Sequence, residues 1–288
     1  MKSTDMRVDV SDLLDGTSAF VEASLYAPAS PGLVTELLVA LHGAGYDRRY
    51  YDIDSEGYSF AEYFTARGYH VLAIDHLGMG RSTQPESEPL VTRTAVADAN
   101  HRMVRHAQAQ LSAGGAPVRV TCMAHSMGGM LGIVQQARHH SFERLAIAGW
   151  SNIGVRIDDG GITQARVAAA RGYLPAPRRL MHDLFYLPDV PEAMIALDAC
   201  CASLTPAGLG RDAMTPDAVA ADAAQIRCPV LVLFGEVDTS PDPAAEVRYY
   251  ASSPDITLVR LEGSAHIQHL ASSRQRFWQR LESWLRAG

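Results

Sequence analysis

The chain has 288 residues, of which 47% are hydrophobic and 20% charged, the balance of a globular protein rather than a disordered or membrane-spanning one. A formal net charge of -7, with no run of lysine and arginine, excludes a sequence-independent grip on nucleic acid. The longest apolar runs, Leu37 to Leu41 and Val230 to Phe234, fall far short of the roughly 20 residues that cross a bilayer. The first residues mix charges of both signs, unlike a secretory leader, so the simplest expectation is a soluble, cytoplasmic protein.

In chain order, Arg7 to Val10 and Ala19 to Ala27 read as an antiparallel opening pair. Six short β-branched and leucine-rich runs follow: Glu36 to Leu41, His70 to Ile74, Val118 to Met123, Leu145 to Ala148, Val230 to Phe234 and Ile256 to Leu261. Continuous apolar runs of this length suit strands buried on both faces of a parallel sheet. Between them, Ser59 to Arg67, Ala95 to Ser112 and Met127 to His139 carry helical spacing, and Ser272 to Leu285 sets Phe277, Leu281, Trp284 and Leu285 on one helical face. The expected fold is α/β, with about eight strands in a mostly parallel sheet flanked by helices.

Residues 152–225 break the alternation. Alanine, arginine and proline dominate there and no strand of the same quality appears, so the segment reads as an inserted helical cap on a core made of 1–151 and 226–288. Its expected helices are Ile162 to Arg171, Arg178 to Phe185, Pro191 to Ser203 and the alanine-biased Ala218 to Ala224. Cys122, Cys200, Cys201 and Cys228 form no C-x-x-C pair and are expected to be buried free thiols.

Chemistry-bearing residues fall just after predicted strands. Ala124-His125-Ser126-Met127-Gly128 is a G-x-S-x-G turn with alanine at its first position; such a turn needs small residues on both sides of the serine. A serine hydroxyl needs a base to take its proton and a third group to orient that base. His266, after Leu261-Glu262-Gly263-Ser264-Ala265, is the preferred base over His269, which is expected to pack or line a pocket from the following helix. Asp238, in Gly235-Glu236-Val237-Asp238, is the preferred acid over Glu236 and Asp242. The loop His42-Gly43-Ala44-Gly45 can turn a backbone N-H toward a developing oxyanion, with the amide after the serine as the second donor; these donors are assigned to Ala44 and Met127. Tyr46 to Asp52 reads as a solvated surface loop, with a polar wall of the substrate pocket as the alternative.

On these motifs, together with Asp75-His76-Leu77-Gly78-Met79-Gly80-Arg81-Ser82, the chain resembles the α/β-hydrolase family over nearly its whole length. The resemblance implies Ser126 as nucleophile, His266 as general base and acid, Asp238 as its orienting partner, and a helical cap at 152–225; the Asp75 to Ser82 loop is read as structural. Serine at the elbow implies an acyl-enzyme from an ester-like carbonyl, with no metal or organic cofactor required. The expected substrate is a small to medium apolar ester or lactone, held by His42, Gly43, His125, Leu184, Phe185 and Tyr186, with Leu180, Met181, Leu187, Met194 and Leu197 as further candidates. Carbon-carbon bond hydrolysis, cofactor-free perhydrolysis and a non-catalytic ligand-binding role stand as alternatives.

Overall fold

In the computed structural model, residues 1–29, 36–115 and 117–287 are described. The opening pair forms strands β1 (Lys2–Asp9) and β2 (Phe20–Ala27), antiparallel to each other. The apolar runs become β3 (Glu36–Leu41), β4 (His70–Asp75), β5 (Arg119–His125) and β6 (Arg144–Ala148). After the short strands β7 (Tyr173–Pro175) and β8 (Leu204–Pro206) come β9 (Val230–Gly235) and β10 (Ile256–Leu261). Eight of them make one sheet in the order β1-β2-β4-β3-β5-β6-β9-β10. β2 meets β4 antiparallel, and every pairing from β4 to β10 is parallel.

Burial on both faces explains why the central strands show no polar alternation. Along β3, Leu37, Val39 and Leu41 join one apolar cluster while Leu38 and Ala40 join the other, all fully buried. Each such leucine stabilises the fold by about 1.5–3 kcal/mol relative to exposure. Helices α1 (Phe60–Thr65) and α10 (Arg274–Arg286) contribute to the cluster on one face, and α2 (Arg93–Leu111) and α3 (Met127–His139) to that on the other. Because these strands run parallel, Leu41, His125 and Gly235 all end at one edge of the sheet, and the loops that follow them converge.

Residues 152–225, which follow β6 and precede β9, carry five short helices joined by turns and loops: α4 (Ile162–Ala169), α5 (His182–Phe185), α6 (Glu192–Ala199), α7 (Ala207–Met214) and α8 (Ala220–Ala223). Three expectations need correcting. The helix predicted over Arg178 to Phe185 forms only as α5, because its first four residues make turns instead. β7 and β8 pair antiparallel into a two-stranded ribbon, which three-residue strands bounded by proline do not announce. The helix predicted over Pro191 to Ser203 stops at Ala199, freeing the next residues to run against Gly45–Asp47. A last short helix, α9 (Pro243–Glu246), follows the loop bearing Asp238.

The Tyr46 to Asp52 loop is not solvated. Tyr46, Tyr50 and Tyr51 are at most 1% exposed, and Arg48 is buried against Asp75, whose carboxylate accepts from the Arg48 N-H at 2.7 Å and from its Nη1 at 2.8 Å. Polar composition misleads here because the partners that bury it, Asp75, Asp198 and His269 among them, are distant in sequence. Among the cysteines, Cys122, Cys201 and Cys228 are buried free thiols, whereas Cys200 is exposed. Among the described residues, no helix is long and apolar enough to cross a membrane.

Candidate active site

Ser126 sits between the end of β5 and the start of α3 with φ 55° and ψ -126°, a conformation an ordinary residue adopts only at a cost of order 1–3 kcal/mol. The turn is held by the Ser126 N-H donating to the Ala148 carbonyl at 2.8 Å. Sterics dictate its neighbours: a Cβ at Gly128 would lie 2.3 Å from the Leu41 oxygen, and one at Gly43 would lie 2.9 Å from the Ser126 Cβ. Ala124 is tolerated because its Cβ faces Gly132 of α3, where even an added Cβ would stand 3.4 Å away. A helix-capping serine ordinarily accepts from the first-turn amides; Ser126 makes no such bond.

Its hydroxyl meets His266 instead. Ser126 Oγ lies 3.1 Å from His266 Nε2, and His266 Nδ1 lies 2.7 Å from Asp238 Oδ1. A carboxylate acceptor at Nδ1 fixes the neutral tautomer with Nδ1 protonated, leaving the Nε2 lone pair for the serine proton. The other Asp238 bonds come from Thr239 N-H to Oδ1 at 2.7 Å, and from Gly235 N-H at 2.7 Å and Gln268 Nε2 at 2.8 Å to Oδ2. Burial alone would raise the Asp238 carboxyl, but the adjacent imidazole and these donors outweigh it and hold the group below the usual carboxylate range. The rival acids are occupied elsewhere: Glu236 accepts from the Gly263 N-H at 3.0 Å, and Asp242 caps α9 through the Ala245 N-H at 3.1 Å.

The His266 backbone is clamped from two sides. Its N-H donates to the Leu184 carbonyl at 3.0 Å, and its carbonyl accepts from His125 Nε2 at 2.8 Å. Burial, with the neighbouring His266 imidazole acting in the same direction, pushes His125 down to about 3, so it serves as a neutral donor. His269 lies in a turn before α10 and not in the helix; it is buried among Tyr50, Tyr51, Phe60 and Phe277. Gln268, which donates to Asp238, was not among the candidates, and its only sequence signal is a polar residue two positions after the histidine.

An apolar cavity opens over Ser126, with about 780 Å³ of space between its walls once the open solvent at its mouth is included. Gly43, Ala44, His125, Met127, Met181 and Phe185 line it, as do Trp150, Val155, Val167, Leu174 and Met214, which escaped notice because apolar residues in such segments usually pack a core. His42, Leu184 and Tyr186 lie outside the lining. His42 is fully buried beside His76, their ring centroids 4.3 Å apart, Leu184 faces a separate polar groove with Leu180, and the Tyr186 hydroxyl donates to Asp198 at 2.5 Å. Met194 and Leu197 pack against the core face that holds α1 and α10. Among the described residues, neither the Ala44 nor the Met127 N-H donates to a protein acceptor, and no cluster of metal-ligating side chains is found.

The family model of serine aminopeptidase, S33, matches residues 34–270. The chain belongs to this α/β-hydrolase family. The hydrolase fold is shared with a soluble variant of the monoglyceride lipase of Saccharomyces cerevisiae, at 16% identity and TM-score 0.73 over 93% of this chain and 91% of that one. It is also shared with a thermostable carboxyl esterase from Bacillus coagulans, at 15% identity and TM-score 0.70 over 100% and 99%. An esterase from Exiguobacterium antarcticum is similar at 16% identity and TM-score 0.70 over 93% and 96%. No curated protein matches the chain in sequence.

Proposed function

We propose that this S33-family hydrolase cleaves small to medium apolar carboxylic esters or lactones through an acyl-enzyme on Ser126. The observation that carries the reading is the relay of 3.1 Å and 2.7 Å from Ser126 Oγ through His266 to Asp238. His266 Nε2 takes the serine proton as Oγ attacks the carbonyl carbon, and the ionised Asp238 stabilises the imidazolium that forms. The developing oxyanion accepts from the Ala44 and Met127 amides. Collapse expels the alkoxide, which receives the proton from His266; water then repeats the cycle on the acyl-enzyme and restores the serine.

The substrate class rests on the cavity. Apart from histidines its walls bear no ionisable side chain except Tyr46, whose hydroxyl is engaged by Asp198. A free peptide amino terminus would bring an ammonium into that apolar space with no carboxylate to pair it, at a cost of several kcal/mol. An uncharged acyl chain fits instead, roofed by residues 152–225 acting as a cap. The test compares p-nitrophenyl acetate, butyrate, octanoate and laurate with aminoacyl p-nitroanilides, using wild type and Ser126→Ala. Turnover of the esters alone, lost in the variant, is expected; preferred cleavage of aminoacyl anilides would refute the ester assignment.

A further inference from the structure

The loop carrying Ala44 is bonded to the inserted segment more fully than a roofing role requires. The Ser203 N-H donates to the Gly45 carbonyl at 3.0 Å, the Asp47 N-H donates to the Cys201 carbonyl at 3.0 Å, and Tyr46 bridges Ala202 in antiparallel register. Gly45 itself has φ +77°, and a Cβ there would stand 2.4 Å from the Ala176 Cβ, so both conformation and closeness to the insertion demand glycine. The Gly45 N-H donates to Thr205 Oγ1 at 2.8 Å. Thr205 is 4% exposed and lines the cavity.

On the other side of Ala44, the His42 carbonyl accepts from His76 Nε2 at 3.0 Å, while His76 Nδ1 accepts from Asn100 Nδ2 at 3.0 Å. Ala44 is therefore suspended between two anchors, one in the core beneath it and one in the insertion above. Hydrogen-bond donors stabilise a transition state only when aimed where charge will develop, and the direction of the Ala44 amide depends on the backbone held at both ends. We propose that Thr205 is a positioning residue of the oxyanion site: its hydroxyl fixes the Gly45 amide and thereby aims the Ala44 N-H at the reacting carbonyl. This rests on the reading of Ala44 as an oxyanion donor given above. It makes the insertion a structural part of the oxyanion site, so that 201–205 must stay in place during turnover.

The experiment uses the full chain and p-nitrophenyl butyrate. Thr205→Val keeps the branched shape but removes the acceptor oxygen, and Thr205→Ser keeps the oxygen. Outright loss of an oxyanion donor costs about 10²–10³ in kcat; for a misaimed one, kcat in Thr205→Val is expected to fall about tenfold or more with KM little changed. Thr205→Ser is expected to recover most of that loss. Affinity for an aryl boronic acid, which mimics the tetrahedral intermediate, is expected to weaken in parallel with kcat/KM. Wild-type kcat in folded Thr205→Val, or a loss confined to KM with boronate affinity unchanged, overturns the proposal. Should the valine variant fail to fold, Thr205→Ala is measured in the same way. A wild-type chain with no ester turnover refutes the parent reading, and this one with it.

Discussion

Acid should unfold this hydrolase well before its carboxylates are protonated. Four histidines, His42, His76, His125 and His269, are at most 1% exposed, and burial pushes His42 down to about 4, His76 and His125 down to about 3, and His269 well below the ordinary imidazole range. In the unfolded chain each regains a pKa near 6.5. Below that value the unfolded state binds protons that the folded state cannot, so stability is present at neutral pH and is lost as pH falls toward the folded-state values. Between about pH 7.5 and about pH 5 each histidine costs about 2 kcal/mol, and the four together about 8 kcal/mol. That is comparable with the whole stability of a typical domain, about 5–15 kcal/mol. Asp238, held below the usual range, contributes stability that is lost only at lower pH, outside this window, and Asp75 and Asp222, both raised by burial, work in the opposite direction. Urea unfolding followed by circular dichroism at several pH values reads the slope. A change below about 2 kcal/mol across the window would mean that the folded state protonates these histidines and would refute the reasoning.

Other outcomes follow from the site. Asp238→Asn leaves the packing intact but lets the imidazole adopt the wrong tautomer, and kcat for p-nitrophenyl butyrate is expected to fall about 10⁴-fold; a fall under about tenfold would assign the acid elsewhere. Ala124→Gly is expected to keep ester turnover, because the position demands only smallness. Ala124→Val pushes two methyl groups toward Gly132 and is expected to destabilise the fold by about 1–3 kcal/mol in urea unfolding; unchanged stability would show that the elbow has room to spare.

The strands and the loops after them were legible because a parallel sheet buries both faces of its strands and delivers successive loops to one edge. Ser126, Asp238 and His266 therefore stood out as polar residues placed directly after apolar runs. The walls of the cavity were not legible: Leu174, Val167 and Met214 differ in no local way from Met194 and Leu197, which pack inward, and only the tertiary fold sorts them. Tyr46 to Asp52 misled for the reverse reason. Arg48, in the loop after β3, and Asp75, at the end of the neighbouring β4, bury one another, and Tyr50 and Tyr51 pack on His269, partners that no window of adjacent residues contains. β7, β8 and α7 were missed because strands of three residues and a helix containing two glycines leave too little periodicity to detect.

The proposed role of Ser126 as nucleophile is tested most directly by reaction of the folded chain with a fluorophosphonate, followed by mass spectrometric mapping of the modified peptide. One phosphonyl adduct is expected, on Ser126 Oγ, with fluoride displaced and ester turnover lost in proportion to labelling. No adduct is expected in Ser126→Ala. An adduct on another residue, or an unmodified chain that still turns over ester, would contradict that role.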